Sequence, residues 1–266
     1  MSKNSNKARI STFILLSVVM LITFAVYTLC VAVVDVQPIG PNKGPSATLV
    51  GFAEINGNFR DAIGHNFTFK KISDILGYLA IATAGGFGLL GLVQLIKGKS
   101  LKKVDGDLYI LLGFYVLIGM AYLLFEKLVI NYRPIVMDGG VEPSYPSSHT
   151  VLAITFLYAA IIMLRRRIKD SQKMTVISIV LLVMMLAIIF LRLFSGVHWL
   201  TDIIGASLFT FMRRCLVLMY VAPGSNDMPA LNSAVVYDST KPVFPSGSTF
   251  PLSGWKNKAS TALLLL

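Results

Sequence analysis

Long apolar runs separated by short polar stretches dominate the chain. A membrane-crossing helix needs about 20 mostly apolar residues. Six stretches are read as such helices: about Ser11 to Val34, Ile72 to Ile96, Leu108 to Ile130, His149 to Leu164, Met174 to Phe194 and Val197 to Tyr220, the fourth being the shortest. The predicted fold is an all-α membrane protein of six transmembrane helices over residues 11–220, with residues 1–10 before it and a tail of residues 221–266 after it. The first run is longer than a signal-peptide core and no small-x-small cleavage site closes it, so it is expected to be retained. Residues 35–71 form a polar, Gly- and Asn-bearing loop that either packs as a lid or is loose. Within it, Asn66-Phe67-Thr68 matches a glycosylation acceptor, a pattern so short that it carries little weight. From Ala222 to Ser260 the tail is rich in Pro, Gly and Ser and is expected to be poorly ordered, and the final Leu263 to Leu266 run is too short to span. No internal repeat is present.

Composition agrees with this pattern. Hydrophobic residues make up 55% of the 266 and charged residues 14%, against about 25% charged in ordinary soluble domains. The mean hydropathy is +0.71. These values exclude a disordered chain, a collagen-like repeat and a disulfide scaffold. The two cysteines, Cys30 and Cys215, lie in apolar surroundings and say nothing of redox compartment. The net charge of +11 would raise nucleic-acid binding in a soluble protein. Here the basic residues sit between apolar runs, and no Arg-rich stripe with interleaved aromatics occurs, so no nucleic-acid partner is expected.

Lys and Arg in short loops set orientation. Seventeen of the 24 fall before run one, after runs two and four, late in run six and in the tail. Six spans put all of these on one side with both termini, which is therefore expected to be the cytoplasm. The other side holds Lys43, Arg60, Lys70, Lys71, Lys127, Arg133 and Arg192.

Ionisable groups at the ends of spans are costly and are functional candidates by default. Three clusters converge on the outer side. Asn131-Tyr132-Arg133-Pro134 follows run three, with Lys127 near that run's end. Arg offers a rigid fork of donors suited to phosphate, although Lys, Arg and Tyr also mark span ends as plain anchors. Tyr145-Pro146-Ser147-Ser148-His149 opens run four. Ser147 or Ser148 can cap that helix, whose first-turn N–H groups form an anion site beside the His149 imidazole; an ordinary Ser cap with an incidental His is the bland alternative. Arg192, His198 and Asp202 surround the turn between runs five and six. His198 and Asp202 are four apart and share a helix face. A carboxylate on one imidazole nitrogen fixes the tautomer and leaves the other as nucleophile or base; a structural His–Asp bond is the alternative. Taken together, the clusters hold two arginines, two of the three histidines and an orienting carboxylate. No metal-ligand spacing and no GxxxxGK[ST] loop accompanies them.

These residues carry a resemblance. Arg133-Pro134, then Pro146-Ser147-Ser148-His149, then Arg192 with five residues before His198 and three before Asp202, resemble the type-2 phosphatidic acid phosphatase (lipid phosphate phosphatase) superfamily, in its membrane-bound branch. The short chain and simple loops suit a bacterial origin. The family signature reads K-x6-RP, PSGH and SR-x5-H-x3-D. Lys127 has five residues before Arg133, and Glu126 holds the family's lysine position; Ser148 replaces a glycine and Leu191 a serine. On a helix one residue is about a 100° turn, so the first departure bears most on function. Phe244-Pro245-Ser246-Gly247 in the tail resembles the second motif but lacks its His.

The resemblance implies a metal-independent phosphomonoester or pyrophosphate hydrolase with no cofactor. His198 would attack phosphorus and form a phosphohistidine, Asp202 would orient it, and His149 would protonate the leaving group and then activate water. Arg133, Arg192, Ser147, Ser148 and Lys127 would hold the phosphoryl oxygens. The expected location is the plasma membrane with the site extracytoplasmic. A lipid phosphate is the expected substrate, with undecaprenyl pyrophosphate, phosphatidic acid and phosphatidylglycerol phosphate as candidates. The bilayer is the expected partner, with no obligate protein partner evident. The alternative is a catalytically impaired lipid-binding or transport protein of the same fold. Six spans argue against a soluble vanadate-using haloperoxidase, which shares the signature.

Overall fold

The computed structural model describes residues 3–41, 47–137 and 140–221, with side chains from residue 11 to 210 except residue 13. These lie within one compact unit, Met1–Pro223; the second unit, Gly224–Leu266, falls outside the described residues, as does the expectation for the tail.

Among the described residues there are seven α-helices: α1 (Lys3–Val33), α2 (Ala53–Ile63), α3 (Phe67–Gly98), α4 (Gly106–Lys127), α5 (Ser148–Arg167), α6 (Ser171–Phe194) and α7 (Leu200–Val221). The six apolar runs correspond to α1 and α3 to α7. Five of these, α1 and α3 to α6, are long and apolar enough to cross a membrane, and α7 adds an apolar stretch over its described side chains, Leu200–Thr210. Among the described residues there are only isolated β-bridges.

Polar residues set the helix ends. Asn66 caps α3, its Oδ1 accepting from Phe69 N at 3.1 Å, so the side chain of the acceptor-like tripeptide is spent on capping. Asp170 caps α6 by accepting from the N–H groups of Gln172 and Lys173. At the same end, Arg167 makes a two-point pair with Asp107 at 3.0 and 3.1 Å, tying α5 to the start of α4.

α5 is the central helix. Half of its apolar window is buried, against 11–22% in the four other candidate spans. It packs on α6, α3 and α7, and α1 lies along α7. Phe24, Tyr145 and Phe209 stack in the α1–α7 core. The outer faces carry exposed apolar side chains, such as Leu15, Leu89 and Leu123, each more than 60% accessible.

The segment expected to be a lid or loose is packed where it is described. Gln37 pairs with Val50, and Asp35 accepts from Glu54 N at 2.8 Å ahead of α2. Asn56 on α2 is fully buried; its Nδ2 donates to Gly51 O and to Thr201 Oγ1, and its Oδ1 accepts from Thr201 N. This segment therefore fastens the first turn of α7. Its last part, from Phe67, already belongs to α3, which starts five residues before the apolar run does.

Candidate active site

The α6–α7 corner carries the third cluster. Arg192 lies in the last turn of α6, its carbonyl bonded by Ser195 Oγ at 2.7 Å. Gly196 then turns the chain at φ +68°, where a Cβ would stand 2.3 Å from the Gly64 carbonyl, so only glycine makes this corner without strain. The corner delivers His198 and, in the first turn of α7, Asp202. Asp202 is fully buried; its Oδ2 accepts from Trp199 N at 2.9 Å and lies 3.5 Å from His198 Nδ1.

The first cluster reaches this corner through extended backbone. Arg133 N donates to Glu142 O and Ser144 N to Asn131 O, each at 2.9 Å, and Trp199 Nε1 donates to Tyr132 O at 2.6 Å. Arg133 Nη1 thereby stands 3.0 Å from His198 Nε2, while Glu142 lies 3.0 Å from Arg133 Nε.

The second cluster joins both. Ser147 N donates to the Asp202 carbonyl at 3.2 Å. His149 Nδ1 lies 2.7 Å from Arg192 Nη2 and its Nε2 3.3 Å from Asp74 Oδ1. The expected serine cap is corrected: Ser147 occupies the N-cap position, but its buried Oγ accepts from Thr150 Oγ1 at 3.1 Å and makes no cap bond. The first-turn N–H groups of α5 therefore lack a side-chain acceptor within the helix. Ser148 is the first helical residue and has no positive φ, so replacing the family's glycine costs no backbone strain there.

Thus Arg133, Ser147, His149, Arg192, His198 and Asp202 come together at one end of the helix bundle, with Ser148 half-buried at the rim. Lys127 does not join them. It is exposed in the last turn of α4 and makes no hydrogen bond or ion pair with the cluster.

Three residues that the sequence reading passed over stand in the site. Asp74 accepts from Arg192 Nη1 at 2.7 Å and from Lys70 Nζ at 2.9 Å, and Ser73 Oγ accepts from Arg192 Nη1 at 3.1 Å. Glu142 is the third. Asp74 had a visible signal, a carboxylate at the start of an apolar run. Among the described residues no three His, Cys, Asp or Glu side chains gather as metal ligands.

Chemistry follows from what each group can donate. A guanidinium has only donors, so His198 Nε2, facing Arg133, carries the ring's lone pair. Its proton is on Nδ1, toward Asp202. That is the tautomer of a nitrogen nucleophile backed by a carboxylate. Burial holds the His198 pKa well below 6.5, reinforced by the positive fields of Arg133 and Arg192, while the Ser144 carbonyl works weakly the other way. Protonation would occupy the Nε2 lone pair, so depression of the pKa keeps that lone pair free on acidification. The acidic limb of kcat/KM due to His198, after correction for ionisation of the substrate phosphate, is expected below pH 6.5; a limb at or above 6.5 would contradict this arrangement.

Comparison with curated proteins and with solved structures gives no match. Residues 125–224, which hold all three clusters, match the family model described as PAP2 superfamily.

Proposed function

We propose that the protein is a metal-independent membrane phosphatase that hydrolyses a lipid phosphate or pyrophosphate through a phosphohistidine at His198. The match to the PAP2 superfamily over residues 125–224 supports phosphatase activity on phosphate esters at the coarser level. The observation that carries the finer reading is the lone pair of His198 Nε2, 3.0 Å from a phosphate-binding arginine and backed by buried Asp202.

Phosphoryl transfer asks a protein mainly for positioning and charge stabilisation. Arg133, Arg192 and the first-turn N–H groups of α5 supply it. A bound phosphate would draw the donors of Arg133 and Arg192 off the two imidazoles. A monoanionic headgroup gives its P–OH proton to the freed His149 Nδ1. His198 Nε2 then bonds to phosphorus as the P–O bond to the lipid breaks, and the proton passes from His149 Nδ1 to the leaving oxygen. In the second half, His149 Nδ1 takes a proton from water, the water oxygen bonds to phosphorus, and the P–N electron pair returns to His198 Nε2. Inorganic phosphate leaves with the proton.

A lipid substrate and a bilayer partner are supported by the exposed apolar faces of α1, α3, α4 and α6, a surface far beyond the patches that water-soluble monomers leave open. The plasma membrane, cytoplasmic termini and an extracytoplasmic site are supported by charge. Lys97, Lys99, Lys102, Lys103 and Arg165 to Arg167 stand at the helix ends opposite His149 and Arg192.

The test is phosphate release by purified protein in lipid micelles with chelator present. The panel is phosphatidic acid, phosphatidylglycerol phosphate and undecaprenyl pyrophosphate. Release from at least one, unchanged by chelator, is expected. Binding without release from any would favour the lipid-binding alternative, and release that needs an added divalent ion would overturn the metal-free mechanism.

A further inference from the structure

His149 is held from both sides. Its Nδ1 faces Arg192 Nη2 at 2.7 Å, and a guanidinium cannot accept, so the neutral ring carries its proton on Nε2. Nε2 lies 3.3 Å from Asp74 Oδ1, a carboxylate contributed by α3. This repeats the arrangement around His198. In each case the nitrogen that meets the phosphate site faces an arginine, and the rear nitrogen faces a carboxylate. The two rings are used with opposite nitrogens, Nε2 in His198 and Nδ1 in His149.

The surroundings give Asp74 a charge role as well. His149 lies in the fields of Lys70 on α3, Arg192 on α6 and Arg133 on the segment after α4, and Asp74 is the anion acting against these three cations. Asp74 also bonds Lys70 and Arg192 directly. Gly77, one turn further along α3, is buried, and a Cβ there would stand 3.4 Å from His149 Cδ2. The imidazole thus packs closely on α3 at this position. Asp74 belongs to none of the three motifs and lies outside the residues that match the family.

We propose that Asp74 is a positioning residue for His149, forming with it a second carboxylate–imidazole pair that orients Nδ1 toward the leaving oxygen and stabilises the imidazolium formed during proton transfer. The proposal rests on the phosphatase reading above. In the step concerned, the proton that His149 Nδ1 has taken from the headgroup goes to the leaving oxygen as its bond to phosphorus breaks. The Nε2 proton stays on the ring, facing Asp74 throughout.

A leaving group that departs as a stable anion has little need of that proton, which separates this role from a structural one. The experiment uses the full chain in micelles and two lipid-like esters of equal chain length, an alkyl phosphate and a 4-nitrophenyl phosphate bearing the chain on its ring. Asp74→Asn is expected to lower kcat/KM, which reports only the steps through departure of the leaving group, by roughly 10–100-fold on the alkyl ester, part of the acid–base contribution, and by less than about 3-fold on the aryl ester on the same argument. Asp74→Glu is expected to recover most of the alkyl-ester rate. If Asp74→Asn does not fold, Asp74→Glu alone is expected to show a smaller loss with the same selectivity for the alkyl ester. Equal losses on both esters, or none on either, would overturn the pair while leaving the phosphatase reading intact. Wild-type protein that releases phosphate from neither ester nor any lipid of the panel would sink both.

Discussion

Replacing His198 by glutamine is expected to remove phosphate release almost completely, by on the order of 10⁴-fold or more, as for the loss of a nucleophile that acts as part of a unit. The side chain is nearly inaccessible and sits where Arg133, Asp202 and the His149–Arg192 pair converge. Glutamine fills a similar volume and can still accept from Arg133, so the fold and the phosphate ligands are retained. Its amide has no nucleophilic nitrogen lone pair. The measurement is initial phosphate release beside wild type, with the elution profile in detergent as the control for folding. Binding of a non-hydrolysed lipid phosphonate is expected to survive, because the arginines that would hold it are untouched. A glutamine variant with substantial activity would reject His198 as the attacking group.

Asp202→Asn is expected to cost nearly as much, on the order of 10³–10⁴-fold in kcat, by removing the negative charge behind His198 and not by moving the ring. One carboxylate oxygen already accepts from Trp199 N at 2.9 Å. An asparagine keeps that bond only with its oxygen there, which turns its NH₂ to the other side. Oδ1 of Asp202 is buried without a hydrogen-bond partner, with the Ser144 and Asn131 side chains as polar neighbours of the carboxylate. The same Oδ2 position lies 3.5 Å from His198 Nδ1, so the amide oxygen would still face that N–H, but without the negative charge that stabilises the cationic ring formed on attack. Folding is expected to persist, since the backbone bond from Ser147 N to the residue 202 carbonyl does not involve the side chain. The kinetic signature is a fall in kcat with little change in the affinity for a phosphonate analogue. A fall in affinity with kcat preserved would instead assign Asp202 to substrate binding.

Most of the helical layout was legible because apolar runs of spanning length are the strongest signal a sequence carries. α4, α5 and α6 begin and end within a few residues of their expected limits. α2 was not legible as a helix: its short sequence, AEINGNFRDAI, has little net hydrophobicity, and its place is set by Asn56 bonding to a residue far away in α7. The first turn of α3 was hidden by Lys70 and Lys71, which read as loop, although Asn66 at its head is a good cap.

The site divides along the same line. His149, Arg192, His198, Asp202 and Arg133 stand in short, spaced patterns, and local geometry at the α6–α7 corner follows from that spacing and from Gly196. Asp74 is different. Its meaning depends on Arg192 arriving from another helix, and no local pattern announces such a meeting. Ser147 was misread for a related reason, since its hydroxyl is taken by Thr150, a neighbour within its own first turn. Lys127, exposed in the last turn of α4 and without a bond to the cluster, shows that a matching residue type near the right spacing does not by itself join a site.

The most direct test of the account is to trap the covalent intermediate. Protein carrying His149→Ala, given an aryl phosphate ester whose leaving group needs no proton, is expected to complete the first half-reaction and stall in the second, because the imidazole that activates water is gone. With labelled phosphate and an alkaline quench, the label is expected to be acid-labile, to approach one per chain and to map by peptide analysis to His198. Label on another residue, or steady turnover with no phosphoprotein at any time, would contradict it.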